Sequence, residues 1–208
     1  MLISPLMHPQ LEKNLENPRL ILASTSPFRK ALLEKLGIAF TCFSPEVDET
    51  VLPTENPTAL VRRLSEAKAR AATTKFPNAL VIGSDQVAVI GERILGKSHT
   101  HERAIEQLRA ASGQVVEFLT GLCVFNTATN SLQIEVISFK AHFRVLSDSQ
   151  IENYLLKDQP YNCAGSFKSE SLGVALLEKM EGDDPNALIG LPLIRLIRLL
   201  ENEGLAVI

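Results

Sequence analysis

The chain has 208 residues, 45% of them hydrophobic and 22% charged, a balance that suits a protein able to bury a sizeable core. A formal net charge of -3 excludes a strongly basic nucleic-acid binder, so any anion site has to be built locally. There is no run of about 18 or more apolar residues, and the first residues carry prolines and acids where a secretory signal needs a continuous apolar stretch. The expectation is a cytoplasmic protein without a membrane partner.

Residues 1–19 contain Pro5, Pro9 and Pro18 and no sustained periodicity, and read as a poorly ordered extension ahead of a single domain over residues 20–208. Leu20 to Ala23 is a short apolar run of the kind that forms a buried strand. A helix follows through Leu36, with Ser26 suited to the N-cap, Pro27 to the first turn and Gly37 to the stop. Ile38 to Phe43 is a second strand. Asn56-Pro57 opens a long helix with the stripe Leu60, Leu64, Ala67 and Ala71, and Arg62, Arg63, Glu66 and Arg70 on its outer face.

Ala79 to Gly83 is a third strand, and Glu102 to Ala111 another helix. Val115 to Phe125 and Leu132 to Leu146 form a long hairpin. In its second arm the apolar phase moves from Leu132, Ile134 and Val136 to Ile137, Phe139, Ala141 and Phe143, which predicts a β-bulge. Ser147 caps a helix to about Leu156, and Pro192 begins a last amphipathic helix. Early alternation of strands and helices followed by long antiparallel strands gives an α/β fold with a mixed sheet. Cys42, Cys123 and Cys163 have neither disulfide nor zinc spacing and read as buried free thiols.

The first strand-to-helix turn carries the strongest chemical signal. Ser24, Thr25 and Ser26 put hydroxyls there, and Arg29 and Lys30 put cations in the first helical turn. Cations at a helix N-terminus oppose the helix dipole, at about 0.3 to 1 kcal/mol each when exposed, so they need a compensating anion or simply face water. Free N–H groups, hydroxyls, the dipole and two cations together suit a phosphate chain. Asp85 follows the third strand, where an open α/β sheet exposes its ligand site, although an Asp in a tight Gly-Ser-Asp turn is equally compatible with the residues. Lys68 emerges beside the apolar stripe of its helix and can reach a cleft or snorkel to solvent.

Leu20 to Lys30, reading L-I-L-A-S-T-S-P-F-R-K, resembles the S-x-S-P-R-R opening of Maf-like proteins. Further segments match in family order: Glu46-Val47-Asp48-Glu49, Glu66-Ala67-Lys68-Ala69, Gly83-Ser84-Asp85-Gln86, Gly96-Lys97, Cys163 to Phe167, and Gly190-Leu191-Pro192. The resemblance spans roughly Leu20 to Leu200; Ser98 stands where the family usually has the Pro of its G-K-P loop.

The resemblance implies helices flanking a mixed central sheet, with two lobes around a cleft, and cleavage of a nucleoside triphosphate to the monophosphate and pyrophosphate. It implies Asp85 as the base and Ser24, Ser26, Arg29, Lys30, Lys68 and Lys97 on the phosphates. Asp48, Glu49 and Asp85 offer oxygen ligands for Mg²⁺ or Mn²⁺. A subgroup with an aromatic after S-x-S-P acts on 7-methyl-GTP, and its specificity positions fall on Phe28, Gln86 and Glu170. The chemistry agrees: N7-methylated guanine is cationic, so an aromatic face attracts it by ~0.5 to 2 kcal/mol, and Glu170 suits its donor edge. Such an enzyme would clear modified nucleotides. A dTTP/UTP or inosine-type pyrophosphatase and a non-catalytic, nucleotide-sensing cell-division regulator remain open, and the family's frequent dimers imply a homodimer as one arrangement.

Overall fold

The computed structural model describes residues 18–208. The predicted extension therefore lies outside the described residues except for its end, where Arg19 already pairs with Ala79 as the first residue of a strand.

The elements run β1 (Arg19–Ala23), α1 (Pro27–Glu34), β2 (Phe40–Phe43), α2 (Pro57–Arg70), β3 (Ala79–Ile90), β4 (Arg93–Leu95), α3 (His101–Ala111), β5 (Val115–Asn126), β6 (Ser131–Phe143), α4 (Asp148–Asp158), β7 (Leu177–Glu181), α5 (Pro185–Ile189) and α6 (Leu193–Asn202). The strands form one seven-stranded mixed sheet in the order β2-β1-β3-β5-β6-β7, with β4 on β3. β1 runs parallel to β2 and β3, and the rest pair antiparallel. Polar caps set the helix starts: Ser26, Asn56, Thr100 and Ser147 each accept a backbone N–H of the first turn.

Two lobes share one face of the sheet. One buries Leu20, Leu22, Leu80 and Ile82 under α1 and α6. The other buries Phe118, Phe139, Ala141 and Phe143 under α3, α4 and α5. Helix α2 covers the opposite face through Leu60, Val61, Leu64 and Ala69. It lies unusually close because Gly83 on β3 and Gly121 on β5 carry no side chain under it; a Cβ on Gly83 would overlap the Ser65 carbonyl oxygen. No helix among the described residues is long and apolar enough to cross a membrane.

Three expectations need correction. The third strand does not end at Gly83 but continues for 12 residues to Ile90, so Asp85 and Gln86 stand in mid-strand, not in a turn. β1 pairs with β3 only as far as Ile82, and β4 joins the same edge only from Ala88. The intervening stretch has β5 on one side and no strand among the described residues on the other, which is why polar residues are tolerated in the sheet interior.

The predicted β-bulge is absent from the hairpin, whose register is unbroken from Asn126↔Ser131 to Val115↔His142. Leu132, Ile134 and Val136 face α2, whereas Phe139, Ala141 and Phe143 face the second lobe, so the apolar phase moves because the covering layer changes face. The only register shift of β6 lies at His142/Phe143, against β7. Cys42 is exposed on edge strand β2, Cys123 is buried and Cys163 half-buried, so burial fits one thiol fully.

Candidate active site

The gap in the β3 edge opens into a cleft of about 880 Å³, bordered by the β1–α1 turn, the loop before α2, the β4–α3 loop and the segment after α4. Asp85 and Lys68 line it from below. The close seating of α2 on Gly83 and Gly121 lets Lys68, itself only 7% exposed, carry its ammonium to the sheet. Its Nζ lies 2.6 Å from Asp85 Oδ1 and 2.7 Å from Glu49 Oε1, so one cation bridges two carboxylates. Burial acts to raise the Glu49 carboxyl, but the bond to Lys68 and the fields of Lys68, Lys97 and Arg29 hold it below its ordinary range.

The β1–α1 turn contributes Ser24, Ser26, Phe28 and Arg29 to the same cleft. Ser24 Oγ accepts from the Ser26 N–H at 3.1 Å, and Ser26 Oγ accepts from the Arg29 N–H at 3.4 Å, which leaves both hydroxyl protons available. Arg29 Nε donates to the Gly190 carbonyl at 2.9 Å, and the buried Ser84 hydroxyl donates to the same oxygen at 3.0 Å. Gly190 has φ 119°, a conformation that only glycine adopts without strain, so this turn can present its carbonyl to both donors. Burial lowers the Arg29 guanidinium from its ordinary range while Asp85 and Glu49 pull it back up.

Phe28 belongs to none of the buried apolar clusters and lines the cleft instead, as does the exposed Glu170. Gln86 lines it too, yet its Nε2 is committed to the protein, donating to Thr120 Oγ1 at 2.9 Å and to the Ala187 carbonyl at 2.7 Å. Only the amide oxygen is left for a ligand. Lys97 is exposed at the rim and pairs with Ala164, joining the β4–α3 loop to the segment after α4 despite Ser98 in the place of proline. In that segment desolvation, helped by Glu170, pushes the Cys163 thiol up to about 11, so it stays protonated.

Two predicted site residues stand apart. Lys30 is exposed, 3.7 Å from Glu34 one turn on, and does not line the cleft. Its position follows from the 3.6-residue period, which turns the next residue away when Arg29 faces inward. Asp48 is also exposed; its Oδ1 accepts from the Thr50 N–H at 2.9 Å, so it closes a turn and does not join Glu49 and Asp85. No group of three or more His, Cys, Asp or Glu is arranged as metal ligands among the described residues. The donor set still fits a hard cation that takes one or two carboxylates with the rest from phosphate and water, because Glu49 and Asp85 each engage Lys68 through a single oxygen.

Sequence reasoning met Ser84 and Gly190 only as parts of matching segments, gave them no role, and passed over Thr120. Ser84 carried a usable signal: a polar residue beside Asp85 in a strand must face the other side, where it needs a buried partner.

The Maf-like protein family matches this chain over residues 19–203. A 7-methyl-GTP pyrophosphatase of Nitrosococcus oceani is similar to it, 59% identical over 191 residues that make up 92% of this chain and 96% of that relative. Matched over nearly all the residues that build the sheet and its cleft, the chain belongs to the Maf-like family.

Proposed function

We propose that the protein hydrolyses 7-methyl-GTP to 7-methyl-GMP and pyrophosphate. The observation that carries the reading is the Lys68 ammonium between Asp85 and Glu49 in the cleft that the β1–α1 turn also borders. The name of the relative from Nitrosococcus oceani supports the same substrate.

The triphosphate binds against Ser24, Ser26 and Arg29 at the N-terminus of α1, with Lys97 at the rim; donors and dipole all favour negative charge there. Asp85 Oδ1 is held by Lys68, and Oδ2 has no hydrogen-bond partner among the described residues, leaving it available to a water. That oxygen takes the water proton as the water oxygen bonds to the α-phosphorus. The bond from the α-phosphorus to the bridging oxygen breaks, and pyrophosphate leaves with that oxygen. Arg29 and Lys68 offset the negative charge that develops during the transfer. A divalent cation, Mg²⁺ or Mn²⁺, held by Glu49 and Asp85, would polarise phosphoryl oxygens. Lys30 and Asp48 drop out of this scheme.

Phe28 stacks on the methylated, cationic guanine, and Glu170 accepts from its N–H edge. Gln86 contributes an acceptor oxygen while its amide nitrogen fixes α5. Initial rates of pyrophosphate release with 7-methyl-GTP, GTP, UTP and dTTP in Mg²⁺ test the substrate. 7-methyl-GTP should be fastest, and Phe28→Arg should remove that preference. Equal or faster turnover of UTP or dTTP by the unmutated protein would refute it. Asp85→Asn should abolish release yet keep nucleotide binding; a protein that binds triphosphate and releases nothing before mutation would be a sensor instead.

A further inference from the structure

The Glu49 carboxylate is 60% exposed, and it sits in the segment 44–56, which has no helix or strand. An exposed side chain on irregular backbone does not keep one geometry unaided, because ordering it costs rotamer and backbone entropy. Something must fix that backbone if Glu49 is to stay on Lys68.

Arg63 does so from helix α2. Its Nε donates to Glu55 Oε1 at 2.7 Å, and its Nη2 donates to Glu55 Oε2 at 2.8 Å and to the Thr50 carbonyl at 2.9 Å. Glu55, with a side chain only 7% exposed, also takes the Leu52 N–H at 3.1 Å, and its own N–H donates to the Leu52 carbonyl. Asp48 Oδ1 closes the other side of Glu49 on the Thr50 N–H. The backbone on both sides of Glu49 is thus tied down, and Thr50, its immediate neighbour, is tied to the same helix that carries Lys68.

We propose that Arg63 is a positioning residue for Glu49: its two-pronged grip on Glu55 and its bond to Thr50 set the Glu49 carboxylate against Lys68. This rests on the reading of Lys68, Glu49 and Asp85 as the reaction centre. The planar fork of arginine matches this arrangement best, since a lysine ammonium cannot offer the carboxylate two parallel N–H bonds and still reach the Thr50 carbonyl as well.

The test is a double-mutant cycle between Arg63→Met and Glu49→Gln, read two ways. The first readout is the rate of Lys68 acylation by acetic anhydride, followed by peptide mass spectrometry, which needs no nucleotide. Both single variants should expose Lys68 and speed its acylation by a similar factor of about three or more, and the double variant should add less than about twofold. The second readout is kcat for pyrophosphate release: each single variant should lose about tenfold, and the double about tenfold again in total, not a hundredfold. Arg63→Lys should fall between. Thermal melting monitors the fold, and Glu55→Gln breaks the same grip should Arg63→Met prove too unstable. Unchanged Lys68 acylation in Arg63→Met and Glu55→Gln, or losses that multiply in the double variant, would overturn the proposal. Should the unmutated protein release no pyrophosphate from any nucleotide, the proposed function fails, while the acylation cycle still decides the role of Arg63.

Discussion

Replacing Gly83 by alanine adds one methyl group at a position that does not line the cleft, yet it should damage both stability and turnover. The new Cβ would lie 2.7 Å from the Ala69 amide nitrogen, where ordinary contact begins at 3.4 Å, so α2 must retreat by about 0.7 Å or more. The obstacle is helix backbone, including the Ser65 carbonyl, and no side chain can rotate to relieve it. Overpacking of this kind costs about 1 to 3 kcal/mol, which for a chain of this size lowers Tm by about 2 to 12 °C. The same retreat draws Lys68 away from Asp85, now 2.6 Å distant, and a displacement near 1 Å at a reacting group costs about 100-fold, so kcat should fall by ~10 to 100-fold. Circular-dichroism melting and pyrophosphate release measure the two effects on one sample. A Gly83→Ala protein with Tm within about 1 °C and kcat/KM within about twofold of the unmutated protein would refute the claim that this close contact sets the site.

Lys68→Met keeps the buried stem and removes the charge, and should lower turnover by about 100-fold or more in the same assay. Its stability loss should stay below the ~3 to 5 kcal/mol of a fully buried broken pair, because the Glu49 side chain is 60% exposed. Ser84→Ala leaves Arg29 alone on the Gly190 carbonyl; KM for the triphosphate should rise by about two- to tenfold, with a melting loss of about 0.5 to 1.5 kcal/mol. The bond to Arg63 lowers the Glu55 carboxyl from 4.5 to about 2. A depressed carboxyl stabilises the fold above its unfolded value, so the Tm difference between the unmutated protein and Glu55→Gln should be full above about pH 4.5 and vanish as pH falls through about 2.

The local grammar of this chain was legible without coordinates. Ser26-Pro27, Asn56-Pro57 and Ser147 cap helices because a cap needs only a side chain and its next three residues. The cations after Ser26 pointed to an anion site because they broke a rule of the helix dipole, and Arg29 does face the cleft. Lys30, its neighbour, did not follow, since composition cannot say which of two adjacent residues the helix turns inward.

Tertiary structure decided the rest. Gly83-Ser84-Asp85-Gln86 spells a turn, yet it lies within a strand, because the glycine answers to the helix packed above it and not to a bend in its own backbone. The phase change in β6 spells a bulge, yet the strand is regular, because cover moves from one face of the sheet to the other. Asp85, Lys68 and Glu49 come from three separate segments, and nothing within any one of them specifies the meeting. Periodicity and capping are short-range and written in neighbouring residues; a close approach between helix and sheet is a sum over distant ones, and that sum is what makes the site.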